Sequence, residues 1–282
     1  AGEGRNITHQ QKKLNEKENF YHKPMFSISD FWNVNEKLYI SNIAYLSIGS
    51  GGGTGLENST STLPDGQVDF QTLYDANYNG KFNPEQASTG VLRSSNNNHF
   101  WYGLLSTFVY TLNESFILSG GIDLRSYKGQ HYKEVYDLIG GRYYIDDPAD
   151  ADANLPLDDK KVVGDIFGYH DDGLVNWGGL FGQVKYTKGN FTAFVNLTIS
   201  NSGYKRIDYF KPKVLQVGDT TLNIGYDTEI EYQGNTYDRN SSGLEYNTTD
   251  WEWILGGTAK GGVNYNINKN MNVYTNFGYL SK

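Results

Sequence analysis

Asp146, Asp147, Asp150 and Asp152 fall in one short window, and they are the residues of this chain best suited to metal chemistry. Hard carboxylate oxygens at that density could hold Ca²⁺, with Asp171 and Asp172 as further donors, although the spacing of an EF-hand loop is missing. The blander reading is a solvated acidic surface, since segment 127–176 carries eleven acids against five bases. The same segment holds Tyr132, Tyr143, Tyr144 and Tyr169, together with Tyr136 and Phe167. These rings, and Tyr226, Tyr232 and Tyr237 further on, could stack on sugars or aromatic ligands; packing of loops against one another would use the same residues. Lys205, Arg206, Asp208 and Tyr209 follow a strand end, where they could face an entrance or form a structural ion pair.

Other chemistries find little support. His9, His22, His99, His131 and His170 show no HExxH spacing. There is no cysteine, so thiolate catalysis, disulfides and cysteine-ligated zinc are excluded. No nucleophile elbow or ordered triad appears. The pair Asp158-Asp159 is adjacent in the chain and cannot flank a glycosidic bond from two sides. The glycine-dense run 49–55 has no following Lys-Ser/Thr, so it is expected to be a loop base rather than a phosphate cradle. The net charge of −8 argues against nucleic acid as a partner. The chain is expected not to be an enzyme, and to carry no cofactor unless it is Ca²⁺.

The elements that must position these residues follow a rhythm. Segments of alternating hydrophobicity are joined by very short turns at 33–37, 113–114, 188–190 and 268–270, and by long polar stretches at 49–99, 127–176 and 203–250. Eight strands are predicted, at about 20–32, 38–48, 100–111, 116–126, 178–187, 191–201, 251–266 and 271–280. Pro24 makes the first the weakest, because proline cannot donate to a ladder. In 191–200 one face reads Phe191, Ala193, Val195, Leu197, Ile199 and the other Thr192, Phe194, Asn196, Thr198, Ser200. In 100–111 both faces are apolar, so the lipid side is open. Mean hydropathy is low, −0.59, yet the chain holds 23 Tyr, 14 Phe and 5 Trp. Short turns at one end, long loops at the other and aromatic ends to the apolar stripes predict an antiparallel transmembrane β-barrel segment, with short periplasmic turns and long extracellular loops. The strand count would put both chain ends outside, so an excerpt of a larger barrel is expected, and tract 1–19 would be the tail of an extracellular loop.

The run Tyr21-His22-Lys23-Pro24, the turn Asn33-Val34-Asn35-Glu36-Lys37 and the glycines of 49–55 resemble the barrel of Bacteroidetes TonB-dependent outer-membrane receptors, the group that includes SusC-like transporters. Asn98-His99-Phe100-Trp101-Tyr102-Gly103, Gly120-Gly121-Ile122-Asp123-Leu124-Arg125, Trp177-Gly178-Gly179-Leu180-Phe181-Gly182-Gln183 and Gly203-Tyr204-Lys205-Arg206-Ile207-Asp208 extend the likeness, which runs from Phe20 onward. The resemblance implies that 1–282 is part of a barrel of about 22 strands. It also implies a cell outer-membrane location and import of a nutrient such as a glycan or ferric siderophore. TonB would be engaged through an N-terminal plug absent from these residues. A SusC-like member would add a SusD-like surface lipoprotein as partner. The competing readings are a structural or adhesive barrel and, less favoured, an outer-membrane enzyme of the phospholipase type.

Overall fold

The computed structural model describes residues 14–58, 62–83, 85–244 and 250–281. Most of tract 1–19 therefore lies outside the described residues. One antiparallel sheet dominates. Its strands are β1 (Asn19–His22), β2 (Met25–Asn33), β3 (Leu38–Glu57), β4 (Val91–Thr111), β5 (Phe116–Asp137), β6 (Ile166–Lys188) and β7 (Phe191–Asp208). The third long loop contributes two small hairpins, β8 (Lys213–Val217) with β9 (Thr220–Ile224) and β10 (Ile230–Tyr232) with β11 (Asn235–Tyr237). The sheet ends with β12 (Glu252–Asn268) and β13 (Met271–Ser281). β3, β4, β5, β6, β7, β12 and β13 lie side by side in chain order, while β1 and β2 both pair with β3. Those two are one strand interrupted at Lys23-Pro24: the Pro24 carbonyl still accepts from Ile48 N at 3.2 Å and from Ser47 Oγ at 3.2 Å. Among the described residues no helix is long and apolar enough to cross a membrane, which says nothing of crossing by strands.

Three of the four tight turns share one device. Asn35 Oδ1 accepts from Lys37 N and Leu38 N at 2.9 and 3.0 Å, and Asn113 Oδ1 accepts from Ser115 N and Phe116 N at the same distances. Asn268 Oδ1 takes Asn270 N at 2.8 Å. A short amide side chain folding onto its own backbone closes each turn without help from elsewhere.

At the other end the strands run much further than their hydrophobic alternation indicates. About 9–11 residues suffice to cross a bilayer, but β5 and β6 have 22 and 23. The expected loops 49–99, 127–176 and 203–250 shrink to 58–90, 138–165 and 209–251. The reason is that backbone ladders need no apolar side chains. Asn96, Asn97 and Asn98 keep pairing with Tyr132, His131 and Gln130 after the lipid-facing pattern has ended. The run 49–55 is likewise strand, not loop base. Its glycines leave room for rings: a Cβ at Gly49 would meet the His99 imidazole, and one at Gly51 the Tyr21 ring.

Alternation in the lower sheet is inverted relative to a soluble protein. Val195, Leu197 and Ile199 are 54%, 56% and 51% exposed, while Asn196, Thr198 and Ser200 opposite are half-buried. Cross-strand pairing carries the same exposed face through Leu180, Ile122, Leu104 and Leu46 on one side and Leu255 and Phe277 on the other. It also resolves β4: Phe100, Tyr102, Leu104 and Phe108 join the exposed apolar face, and His99, Trp101 and Gly103 the polar one. The buried core lies in the upper sheet and its loops instead. Val91, Val135, Tyr144 and Phe167 form one cluster, Leu73, Leu92 and Ile139 a second, and Leu215, Leu222 and Ile224 a third. Loop 58–90 contains an unforeseen helix, α1 (Phe70–Gly80). Asp69 caps it, accepting from Thr72 N at 3.0 Å, and Leu73, Asn77 and Gly80 line its buried face.

Candidate functional site

The polar face of the sheet, which in a closed barrel faces the interior, carries a strip of rings and cations across β1, β4, β5 and β6. Register places it. Trp101 lies opposite Tyr127, Tyr127 opposite Val175, and Arg125 opposite Trp177. Tyr21 and Lys23 enter from the first strand and its break. Together with His99 they enclose a hollow of about 430 Å³. Glycine makes the strip possible, because rings lie across the strand beside it: Tyr45 over Gly103 and Trp177 over Gly179.

The cations are held by aromatic faces and one acid. Arg125 Nε donates to Asp123 Oδ1 at 3.0 Å and its second nitrogen grips Asp123 Oδ2. The guanidinium lies 4.8 Å from the Trp177 ring centre. Lys23 Nζ is 5.9 Å from the Trp101 ring centre, with Tyr45 edge-on to the same indole. Tyr21 Oη and His99 Nδ1 are 2.9 Å apart, and His99 Nε2 is buried without a partner among the described residues. A surface of indole and phenol faces with two cations is suited to an anionic, flat, partly apolar ligand. Sequence reading missed this strip. The available signal was a ring or cation at every second position, at 99 and 101 and at 125 and 127, which register then aligns with Trp177.

The residues singled out from sequence are distributed differently. Tyr143 and Tyr144 are buried, at 4% and 3% exposure. Tyr144 packs edge-on against Phe167, accepts from Asn58 Nδ2 at 2.7 Å, and is pushed upward in pKa chiefly by burial. Tyr143 lies under Lys160 Nζ at 4.8 Å. Tyr132 is in β5 and accepts from Asn98 Nδ2 at 3.2 Å, while Tyr169 is half-buried in β6. Neither is on a loop. Lys205 and Arg206 are inside β7, not past its end, so strand alternation sends them to opposite faces. Arg206 binds Asp171 at 2.7 Å on the polar face; Lys205 stands opposite Leu174 on the other.

Three of the four aspartates accept from backbone N–H groups nearby in the chain, and Asp146 also reaches β6. Asp146 Oδ1 accepts from Asp147 N at 2.9 Å and Oδ2 from Gly168 N at 2.6 Å. Asp147 Oδ1 accepts from Ala149 N and Asp152 Oδ1 from Asn154 N, each at 2.9 Å. Burial raises the Asp146 pKa. Asp150 N donates to the Asp147 carbonyl at 2.9 Å. Among the described residues no three His, Asp or Glu side chains are grouped so as to hold a metal. Asp172, in β6, instead takes Lys128 Nζ at 2.6 Å and the Tyr209 hydroxyl at 2.7 Å. Burial and this hydrogen bond raise the Tyr209 pKa.

A solved structure of the ferric-catecholate import receptor Fiu from E. coli K12, in an open form, aligns with 94% of this chain at a TM-score of 0.49 and 11% identity. The chain spans 36% of that chain. No protein-family model matches the chain, and no curated protein sequence matches it. Neither the SusC-like subgroup nor a Bacteroidetes source is indicated by these comparisons.

Proposed function

We propose that this chain is part of the wall of an outer-membrane barrel that imports a scarce nutrient, and that the nutrient is an anionic chelate of the ferric-siderophore kind rather than a neutral glycan. One observation carries the reading: the sheet exposes its apolar face and turns a cation-bearing aromatic strip to the opposite side. The exposed face asks for lipid, since Ile48, Leu104, Leu124, Leu180, Leu197, Leu255 and Val273, one on each of seven adjacent strands, are all more than a third exposed and have no place in water. The strip asks for a ligand that is both flat and negative, because Lys23 and Arg125 sit beside Trp101 and Trp177. A neutral glycan would need the rings without the cations. Energy from TonB, through a plug elsewhere in the protein, belongs to the same proposal. A SusD-like lipoprotein is not required by it.

The test is uptake of radio-iron by cells that depend on the full-length protein, supplied as negatively charged ferric siderophores, with a neutral oligosaccharide of similar mass as the comparison. The informative variant is Lys23→Ala with Arg125→Ala and Asp123→Asn, which removes both cations without stranding the buried Asp123 carboxylate. Uptake of the anionic chelate is expected to fall at least about tenfold, since a charge-assisted hydrogen bond contributes about 1.5–3 kcal/mol. Unchanged uptake in the variant would remove the strip as the binding surface for the chelate; no growth defect on limiting iron when the protein is deleted would leave a structural or adhesive barrel.

A further inference from the structure

The lipid side of the sheet has a second hollow, of about 500 Å³, near the level where the apolar pattern gives way to the upper sheet. Rows of paired residues define it. Leu104, Leu124, Gly178, Asn201 and Leu255 form one row, and Tyr102, Ser126, Asn176, Gly203 and Trp253 the row above. Small residues in the middle of each row make the floor; Tyr102 and Leu104 form one wall and Trp253 the other, which Leu255 continues in the hollow below. The Trp253 indole lies across Gly203, where an added Cβ would come within 2.9 Å of its ring. Below, the channel continues into a hollow of about 270 Å³ between Ile122, Leu180, Ile199 and Leu255. The next row up is Phe100, Lys128, Leu174 and Lys205. Two lysines therefore stand on the lipid side directly above the channel. They are two strands apart, about 10 Å at ~4.8 Å per strand.

We propose that this channel binds one phosphorylated, multi-acyl glycolipid of the outer leaflet, with an acyl chain along the floor and its two phosphates at Lys128 and Lys205. The inference rests on the outer-membrane reading above. Charge selects the occupant. Lys128 already holds Asp172, which is 1% exposed and belongs to the next row up, opposite Gln130, yet the lysine side chain stays 42% exposed with donors to spare. Lys205 has no ion pair among the described residues. A lipid with one phosphate satisfies one lysine, and a bis-phosphorylated headgroup spans both. The walls restrict the chain to the direction of the strands.

The experiment uses the full-length protein, purified and delipidated by detergent exchange, then incubated with bis-phosphoryl lipid A, monophosphoryl lipid A or phosphatidylglycerol and examined by native mass spectrometry. Two variants report on the two halves of the site. Gly178→Phe fills the floor, where an added Cβ meets only Leu124 Cδ2, at 3.4 Å. Lys205→Glu reverses one charge; Lys128 is left alone because its loss would strand Asp172. The expected result is one retained bis-phosphoryl lipid A per protein, retention reduced about tenfold or more in Gly178→Phe and severalfold in Lys205→Glu, and weak retention of the other two lipids. Heat-modifiable gel migration checks that both variants fold. Equal retention of all three lipids, or equal retention by Gly178→Phe, would show annular lipid only and overturn the proposal. Siderophore uptake should be unchanged in Gly178→Phe, because the residue lies on the lipid side. An outer-membrane importer that ignores lipid A would refute this inference alone; a protein absent from the outer membrane would refute the proposed function as well.

Discussion

Leu197 and Val214 are almost equally exposed, 56% and 52%, yet they belong to regions with opposite physics. Leu197 sits in the lower sheet, the wall, where apolar side chains point outward and the polar face is sheltered. Val214 sits in β8, in the upper part, the collar, where Val91, Phe167 and Ile224 are fully buried and the surface is polar. β4, β5, β6 and β7 run through both regions, their pairing shifted by bulges at Leu92/Arg93 and Tyr132/Lys133, both inside the collar and not where the two regions meet. The change is therefore one of solvent, not of secondary structure. A strand keeps its ladder and its period while the meaning of each face reverses.

That comparison can be broken at several points. The collar should fail locally and the wall globally. Phe167→Ala removes a fully buried ring that packs on Tyr144 and lies 4.6 Å beneath Lys133 Nζ. A loss of about 3–5 kcal/mol is expected, expressed as protease cleavage within 138–165, with heat-modifiable migration of the wall unchanged. A variant whose wall also unfolds would show that collar and wall are one cooperative unit. Leu197→Arg should reduce folding stability in liposomes by about 2–4 kcal/mol, the charge being placed toward the bilayer midplane. Val214→Arg should stay within about 0.5 kcal/mol under the same urea titration. Equal effects at the two sites would remove the distinction between lipid and water.

A smaller effect is expected at Asn77, which joins two loops of the collar. Its Nδ2 donates to the Gly90 carbonyl at 2.8 Å and the Leu138 carbonyl at 3.0 Å, and its Oδ1 accepts from Thr89 N at 2.8 Å. Asn77→Ala strands those backbone groups and should cost about 1–3 kcal/mol, seen as faster hydrogen exchange in 70–90 and 138–141 but not in β12 or β13. Protection lost in β12 would place the effect outside the collar.

How much of this was legible in the sequence also divides at the bilayer. Every wall strand could be placed from alternation, because lipid demands an apolar residue at each second position: Leu180, Val184 and Tyr186 on β6 leave little choice. In the collar that demand ends. Asn96-Asn97-Asn98 and the glycines of 49–55 are strands held by backbone pairing, and no periodicity marks them. The helix α1 was hidden because Phe70–Gly80 is rich in Tyr, Asn and Asp, residues with no strong helix preference, and only its cap and burial face declare it. Residues adjacent in sequence, such as Lys205 and Arg206, read as one patch until a strand separated them. The aromatic strip was invisible for the converse reason, since Tyr21, Trp101, Arg125 and Trp177 meet only through register.

The finest test of the collar is acidity. His170 is enclosed by Tyr209, whose ring centre is 4.5 Å away, by Phe210 at 6.2 Å and by Tyr132 at 5.9 Å. Burial lowers its pKa, and prevails over Asp172, Asp152 and Asp171, which pull the other way. A histidine whose pKa is lower folded than unfolded binds fewer protons in the folded state. Its neutral form is favoured by folding above the unfolded value, and stability is lost as pH falls below about 6.5 toward the folded value. Acidification from pH 7 to pH 5 should therefore loosen the third loop around Tyr209 and Phe210 and quicken proteolysis within 209–244, while the wall is unmoved. His170→Gln, which cannot take up the proton, should flatten that dependence. An equally steep response in the variant would assign it to the carboxylates of the collar, among them Asp146, whose pKa burial raises.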